Sequence, residues 1–484
     1  MEFGTLKNYI DGEWVESKSD TLLDVTNPAT GEVIAKVPLS TPGEMEQAVL
    51  AAKEAFWEWR ETPPVVRARY MFRLKALMEE HFEHLAQTIV KEHGKILDEA
   101  RGEVRRAIEN VDMAAGIPSL MMGYNAEDIA DGIDEEAVLQ PVGVFGCVAP
   151  FNFPSMVPFW FLPTGIACGN TYIVKPSEQC PVSQTLLFEL LDELDFPPGV
   201  VNMVHGAKPA VDVLLTHPDV AGISFVGSTP VGKYIYSTAA AHGKRVQVQG
   251  GAKNGLVVMP DAVLDRTVAA FMTSAFGTAG QRCLAGALAL PVGDIYEPFK
   301  AMLVEEAAKI KVGDGLDQSV QMGPVSSRKS LDRITGYIEK GVAEGAELLL
   351  DGRGVQVEGY PNGYFIGPTI FDKVAPDMTI AKEEIFGPVL GIIPLDSFDD
   401  AIEVIRGLRF GNAASIFTSS GKWAREFKYH VSAGNVGINI GIAAPIATFA
   451  FGGKGDSFFG DLHGQGMDGV TFFTDRKIVI IRWF

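Results

Sequence analysis

Between residues 41 and 120 the apolar positions recur three or four apart with polar residues between them, a spacing that predicts amphipathic helices. TPGEMEQAVLAAKEAFWEW (41–59) opens with Thr41, Pro42 and Glu44, the residue types of an N-cap, a first turn and a capping box. VRARYMFRLKALMEEHFEHLAQTIVKEHG (66–94) carries the spacing on without interruption to Gly94. ILDEARGEVRRAIENVDMAAG (96–116) predicts a third helix. The pattern then changes. EDIADGIDEEAVLQPVGVFGCVAP (127–150) sets Asp131-Gly132 between two short segments, which predicts a hairpin. From 143 to 260, runs that are apolar throughout (GVFGCVAP, TYIVKP, VVNMVHG, GISFVGS, GLVVMP) alternate with helix-like stretches such as VSQTLLFELLDEL and KPAVDVLLTHPD. Strands apolar on both faces belong to a parallel sheet covered on both sides. The expected fold is therefore doubly wound α/β, with ligands beyond the carboxyl ends of the strands. Residues 262–440 repeat the alternation and predict a second α/β domain. The final GVTFFTDRKIVIIRW is rich in β-formers and reads as a terminal strand with a free edge for a neighbouring chain.

Composition narrows the class. The 484 residues are 47% apolar, more than one single-core domain normally holds. Lys and Arg number 41 against 61 Asp and Glu, a formal charge of -20. Such a chain repels nucleic acid and anionic membranes, so neither is an expected partner. An anionic small ligand needs local cations, which makes single arginines within apolar text informative. Four cysteines (Cys147, Cys168, Cys180, Cys283) form no CxxC pair, consistent with a reducing cytoplasm. The eight histidines form no HExxH and no Cys/His cluster, and no metal is expected. MEFGTLKNYIDGEWVES has neither a basic n-region nor an apolar h-region, so no signal peptide is expected. The best candidate span, PSMVPFWFLPTGIAC, is short and broken by prolines.

Four stretches carry candidate chemistry. GSTPVGKY (227–234) nearly matches a P-loop, but Tyr234 stands where a small hydroxyl must reach Mg²⁺. Its backbone N–H groups at a helix start still suit a pyrophosphate; the alternative is an ordinary strand-to-helix turn. YIVKPSE (172–178) places Lys175 and Glu178 just past a strand, where they suit ribose hydroxyls and where the carboxylate would repel a 2′-phosphate. A solvated ion pair is the competing reading. In APFNFP (149–154), Asn152 lies in an apolar frame and its side-chain N–H could donate to an oxyanion, or simply close a turn. FGTAGQRCLAG (276–286) surrounds Cys283 with small residues and puts Arg282 beside it, favouring thiolate. It reads as a nucleophile or as a small packing residue.

Together PFNFP, KPSE, FVGST..VG, GGAKN, GQRC, EEIFGPV and SFFG, in that order, resemble the aldehyde dehydrogenase superfamily over nearly the whole chain. The resemblance implies a Rossmann-like NAD domain (1–122 and 143–250), an α/β catalytic domain (251–440) and a β oligomerisation element (123–142 and 455–484) in a dimer or tetramer. It implies Cys283 as the nucleophile that carries a thioester. Asn152 and the Cys283 N–H would be the oxyanion donors, and Lys175 and Glu178 would sit on the adenosine ribose. Ser228 would contact the pyrophosphate, Glu384 the nicotinamide ribose, and Phe386 would pack nearby. Ala149, Phe151, Gln179 and Gly250 align with cofactor-lining positions.

One departure is informative. Hydrolytic members carry Glu-Leu-Gly-Gly where this chain has VQVQGGAKN (246–254), which puts Gln249 at the water-activating base. An amide cannot take a proton usefully at neutral pH. RLKALMEEH, GEVRRAIENVDMAAGIPSLMMG, PFNFPSMVPFW and SFFGDLHGQGMDGVTFFTDRK resemble the methylmalonate-semialdehyde dehydrogenase (acylating) branch more closely still. That branch implies NAD as cofactor, coenzyme A as acyl acceptor, loss of CO₂, and a substrate-carboxylate grip by Arg106 and Arg282. The competing expectations are a hydrolytic dehydrogenase of another carboxylated aldehyde, such as succinate semialdehyde, and a non-catalytic protein on the same fold.

Overall fold

The computed structural model describes residues 1–484. The first predicted helix is Pro42–Glu61. The Glu44 carboxylate accepts the Thr41 backbone N–H at 2.8 Å, satisfying a donor that the helix start leaves open. The pattern over 66–94 is two helices, Pro64–Glu80 and Phe82–His93, because His81 departs from helical dihedrals (φ -93, ψ 13). Periodicity could not reveal this break. Buried Met78 and Leu85 are seven residues apart, so the apolar spacing passes straight through it. The third helix is Leu97–Ala115.

Pro42–Glu61 packs on one face of an eight-stranded sheet, while Pro64–Glu80, Phe82–His93 and Leu97–Ala115 stack on the other side, against the helices Met156–Ala167 and Val182–Asp192. From the strand Val144–Val148 the parallel order runs one way to Thr171–Lys175 and Val201–Met203, and the other way to Val220–Val226 and Arg245–Gln249. The order therefore reverses beside Val144–Val148, the switch point at which doubly wound sheets leave a crevice. Arg245–Gln249 was not among the predicted strands. RVQVQ alternates polar and apolar residues, yet Gln247 and Gln249 are both buried. Gln247 Nε2 recovers a partner in Ser224 Oγ at 2.8 Å.

The second sheet has seven strands, parallel except for Glu347–Leu350 at its edge. The GLVVMP run, which continues the first alternation in the sequence, lies in this second sheet as Asn254–Val258, between Gly286–Pro291 and Ala413–Phe417. Residues 250–253 thus form a strap between the sheets. Its N–H groups are tied down in turn: Gly250 to Ser457 O at 2.8 Å, Gly251 to Thr229 Oγ1 at 3.0 Å, Ala252 to Glu384 Oε1 at 2.8 Å.

The expected hairpin is Tyr124–Ala130 and Ile133–Pro141, turned at Asp131-Gly132, where Gly132 takes φ +67. Thr474–Arg482 pairs antiparallel with its second strand, from Thr474 opposite Pro141 to Arg482 opposite Ile133. Residues 455–473, expected in this same element, lie elsewhere. Phe458–Phe459 edges the first sheet, and Gly466–Phe472 is helical. The reason is burial: Phe472 and Phe473 pack on Phe145 with ring centroids 5.5 and 4.9 Å away, and that packing overrides the β preference of GVTFF. No helix is long and apolar enough to cross a membrane.

Candidate active site

A cleft of about 440 Å³ opens beyond the carboxyl ends of the first sheet's strands and is closed on its far side by the second domain. Ala149, Phe151 and Asn152 reach it from the end of Val144–Val148; Lys175, Glu178 and Gln179 follow Thr171–Lys175. Ser228 follows Val220–Val226, and Gly250 follows Arg245–Gln249. Cys283, Glu384 and Phe386 come from the second domain, with Ser327, Lys329, Ser330 and Arg333, to which the sequence reading gave no role. The predicted nucleophile, side-chain oxyanion donor and cofactor-lining residues therefore share one cleft.

Cys283 is partly buried at the end of an unusual segment. A π-helical turn, Met272–Phe276, runs into a tight turn in which Thr278, Ala279 and Gly280 all take left-handed backbone (φ 55, 50 and 68). Gly280 is required there, since a Cβ would lie 2.1 Å from the Gly387 carbonyl oxygen. Gly280→Ala should cost at least about 2 kcal/mol, from left-handed strain plus the clash, and should lower Tm and turnover together. Thermal melts beside initial rates check this, and an unchanged Tm contradicts it. The segment beyond is pinned. The Cys283 carbonyl accepts Asn254 Nδ2 and Asn412 Nδ2, each at 2.9 Å. Gln281 Oε1 accepts Ser326 Oγ at 3.1 Å. Asn254 was visible in GAKN but without a role; Asn412 and Ser326 carried no signal, because their partners are more than forty residues away.

Burial pushes the Cys283 thiol up to about 12, and Arg282 opposes this. The backbone N–H groups of Cys283 and Leu284 also act against that rise and favour the thiolate. Asn152 is buried, and its Nδ2 donates to Gln281 O at 3.1 Å, two residues from the sulfur-bearing position. Glu384 is raised by burial, and Ala252 N–H, Arg333 and Lys253 act against that shift. Its Oε2 lies 2.6 Å from where a Gly251 Cβ would be, so glycine is needed on the strap. Burial brings Lys253, behind Glu384, down to about 8.

The cofactor end has the parts a dinucleotide requires. Lys175 Nζ lies 3.0 Å from Glu178 Oε2. Burial alone would raise the Glu178 carboxyl, but Lys175, a backbone N–H and Lys329 together outweigh it and leave the group below the usual range. Past this pair lies an apolar slot of about 430 Å³ lined by Val148, Val211, Pro230, Val231 and Ile235. Ser228 begins the helix Thr229–Ala241, and its side chain makes no cap hydrogen bond, leaving the N-terminal donors and the hydroxyl for a phosphate. An apolar slot, a ribose-height carboxylate and an open helix start fit an adenine dinucleotide.

The Gln249 side chain is buried and does not line the cleft. Neither atom of its amide has a hydrogen-bond partner, and a Cβ on Gly464 would sit 3.5 Å from Nε2. The two arginines stand apart from the cleft lining. Arg282 donates to Thr278 Oγ1 at 2.9 Å and pairs with Glu99 at 3.5 Å. Arg106, on the same helix as Glu99, pairs with Glu109 at 2.8 Å and is about half-buried. Each guanidinium is thus engaged by a carboxylate in this state.

Comparison with known proteins agrees with this geometry. The aldehyde dehydrogenase family model matches residues 14–479. A malonate-semialdehyde dehydrogenase of Geobacillus kaustophilus is 52% identical over 479 residues, covering 99% of both chains. The crystal structure of a methylmalonate-semialdehyde dehydrogenase from Oceanimonas doudoroffii superposes with a TM-score of 0.98 at 44% identity, over 99% of both chains. An NAD+ complex of an aldehyde dehydrogenase from Bacillus cereus has a TM-score of 0.94 at 33% identity, over 99% of this chain and 96% of that one. The motifs, the fold, the cleft and these likenesses agree: the chain belongs to the aldehyde dehydrogenase family.

Proposed function

We propose that the protein is an NAD-dependent, CoA-acylating dehydrogenase of malonate and methylmalonate semialdehydes, yielding acetyl-CoA or propionyl-CoA and CO₂. The observation that carries the acylating reading is Gln249, an amide with no proton-accepting capacity at the strand end where hydrolysis needs a base. Relatives named for the two semialdehydes support the substrate class.

In this reading the Cys283 thiol gives up its proton to solvent, the sulfur attacks the aldehyde carbon, and the new oxyanion takes N–H bonds from Asn152 Nδ2 and the Cys283 backbone. NAD, when bound, supplies the hydride acceptor that takes the adduct to the thioester level. Lys175 and Glu178 would hold its adenosine ribose, Ser228 its pyrophosphate and Glu384 its second ribose. In the thioester the substrate's carboxylate is β to the carbonyl, so loss of CO₂ leaves an enolate whose oxygen lies at the same two donors. Protonation then gives the acyl group that the coenzyme A thiolate removes from Cys283, which regenerates the free sulfur. At position 249 no side chain equips water to compete.

Arg282 and Arg106 remain the candidate grip for the carboxylate, and to serve they would exchange Glu99 and Glu109 for the substrate. A charge-assisted bond of about 1.5–3 kcal/mol translates to a rise in KM of roughly tenfold to a hundredfold. Arg106→Leu should therefore raise KM for malonate semialdehyde by that factor and leave propionaldehyde nearly unaffected. Equal effects on both substrates would make Arg106 a purely structural residue.

The reading extends to a cytoplasmic homo-oligomer, dimer or tetramer. The three-stranded sheet supports it, for both outer strands have free edges and Ile478 and Ile480 are 52% and 67% exposed. Light scattering on the purified protein distinguishes dimer from tetramer.

A further inference from the structure

We infer that Lys95 and Glu103, buried behind the cleft, are positioning residues that set the aim of the Asn152 amide. The inference rests on Asn152 being the oxyanion donor. Lys95 follows the helix Phe82–His93 through Gly94, and Glu103 lies on Leu97–Ala115. Their side chains have no solvent exposure and meet at 2.6 Å, Nζ to Oε2. Lys95 Nζ also donates to the backbone oxygen of Asn152 at 2.7 Å and lies 4.0 Å from the centre of the Phe153 ring. Glu103 Oε1 accepts the backbone N–H groups of Ser155 at 2.9 Å and Met156 at 3.2 Å, where the helix Met156–Ala167 begins.

The pair thus grips the segment 152–156 at both ends, by a carbonyl at one and two amides at the other. Stability alone is a poor reason for such a pair. Desolvation cancels much of the attraction between two buried charges, and apolar side chains of similar volume often serve as well or better. Apolar groups cannot, however, hold a carbonyl and two N–H groups in fixed directions with charge-assisted bonds. The Asn152 side chain is then set from two sides: its own backbone is held by Lys95, and its Nδ2 reaches Gln281 O at 3.1 Å. Donor and nucleophile share one frame.

The same turn braces the cleft at two further points. The His93 ring lies 6.2 Å from that of Phe151 and within 17° of parallel. The Glu92 carboxylate accepts Val182 N–H at 2.7 Å and Ser183 N–H at 3.0 Å, just past the Lys175–Gln179 loop.

The test is a mutant cycle read on the pre-steady-state burst of NADH. Lys95→Met/Glu103→Leu removes both charges together and leaves no unpaired buried ion, so the protein should remain folded by circular dichroism. Its burst rate should fall roughly tenfold to a hundredfold, the cost of a small misplacement, with KM for the aldehyde little changed. Asn152→Ala alone should cost about a hundredfold or more. Combined, the three substitutions should be no slower than Asn152→Ala, since no amide is left to aim. A folded double variant with a wild-type burst overturns the inference, as does a combined variant slowed further by the double variant's full factor. A wild-type burst in Asn152→Ala overturns the oxyanion reading and the inference with it. If the double variant fails to fold, Lys95→Met/Glu103→Gln, which keeps an acceptor for Ser155 and Met156 and strands no charge, enters the same cycle in its place.

Discussion

Cys283→Ala is expected to abolish NADH production from every aldehyde while NAD still binds with near-native affinity. The sulfur is the only thiol lining the cleft, and its removal leaves the rest of the lining (Lys175, Glu178, Ser228) intact. Removing a covalent nucleophile costs on the order of 10⁴-fold or more, so residual turnover should lie near background. Turnover measured beside NAD binding by fluorescence checks this; substantial activity in the variant would remove Cys283 from the mechanism. The thiol's state gives the result a pH signature. Burial raises it to about 12, so across neutral pH the free protein holds mostly thiol. Alkylation of Cys283 by iodoacetamide should therefore be slow near neutrality and quicken about tenfold per pH unit below that value. A plateau near neutrality would mean that Arg282 and the local N–H groups outweigh burial.

The second large effect concerns the acyl acceptor. Without coenzyme A the wild-type protein should release a single burst of NADH, close to one per active site, and then stall as the thioester. Gln249→Glu should convert the stall into steady turnover to free acid. The variant places a carboxylate where burial will raise its pKa towards neutrality, the condition for a general base. The expected gain in CoA-independent rate is about 10²–10⁴-fold, the usual contribution of general-base catalysis. Stopped-flow NADH absorbance with and without coenzyme A checks both halves. Sustained wild-type turnover without coenzyme A would refute the acylating reading.

Much of this is legible in the sequence. Local rules served where local chemistry decided: Thr41 to Glu44 at a helix start, Asp131-Gly132 in the hairpin, apolar runs in the parallel sheets. The cleft-lining residues were legible because motif residues stand directly after strands, where the fold leaves its crevice. What stayed hidden depends on distance along the chain. RVQVQ looks like a half-exposed strand until Ser224 supplies a partner for Gln247. GVTFF looks like a strand until Phe145 draws Phe472 and Phe473 inward. Asn412 holds the Cys283 carbonyl from 129 residues away, and no window of sequence contains that bond. Arg106 and Arg282 were legible as cations but not as the partners of Glu109 and Glu99, because an acidic chain offers too many candidate carboxylates.

The strap at 250–253 has an evolutionary meaning. Gln249 ends one sheet and Asn254, which holds the Cys283 carbonyl, opens the other; the residues between them are tied down by backbone N–H groups. The spacing between position 249 and the sulfur's support is therefore written into main chain and does not depend on which side chain stands there. On the proposed role of Gln249, selection could exchange that one side chain, and with it water for a thiol as the product-forming partner, while the rest of the cleft stayed in register.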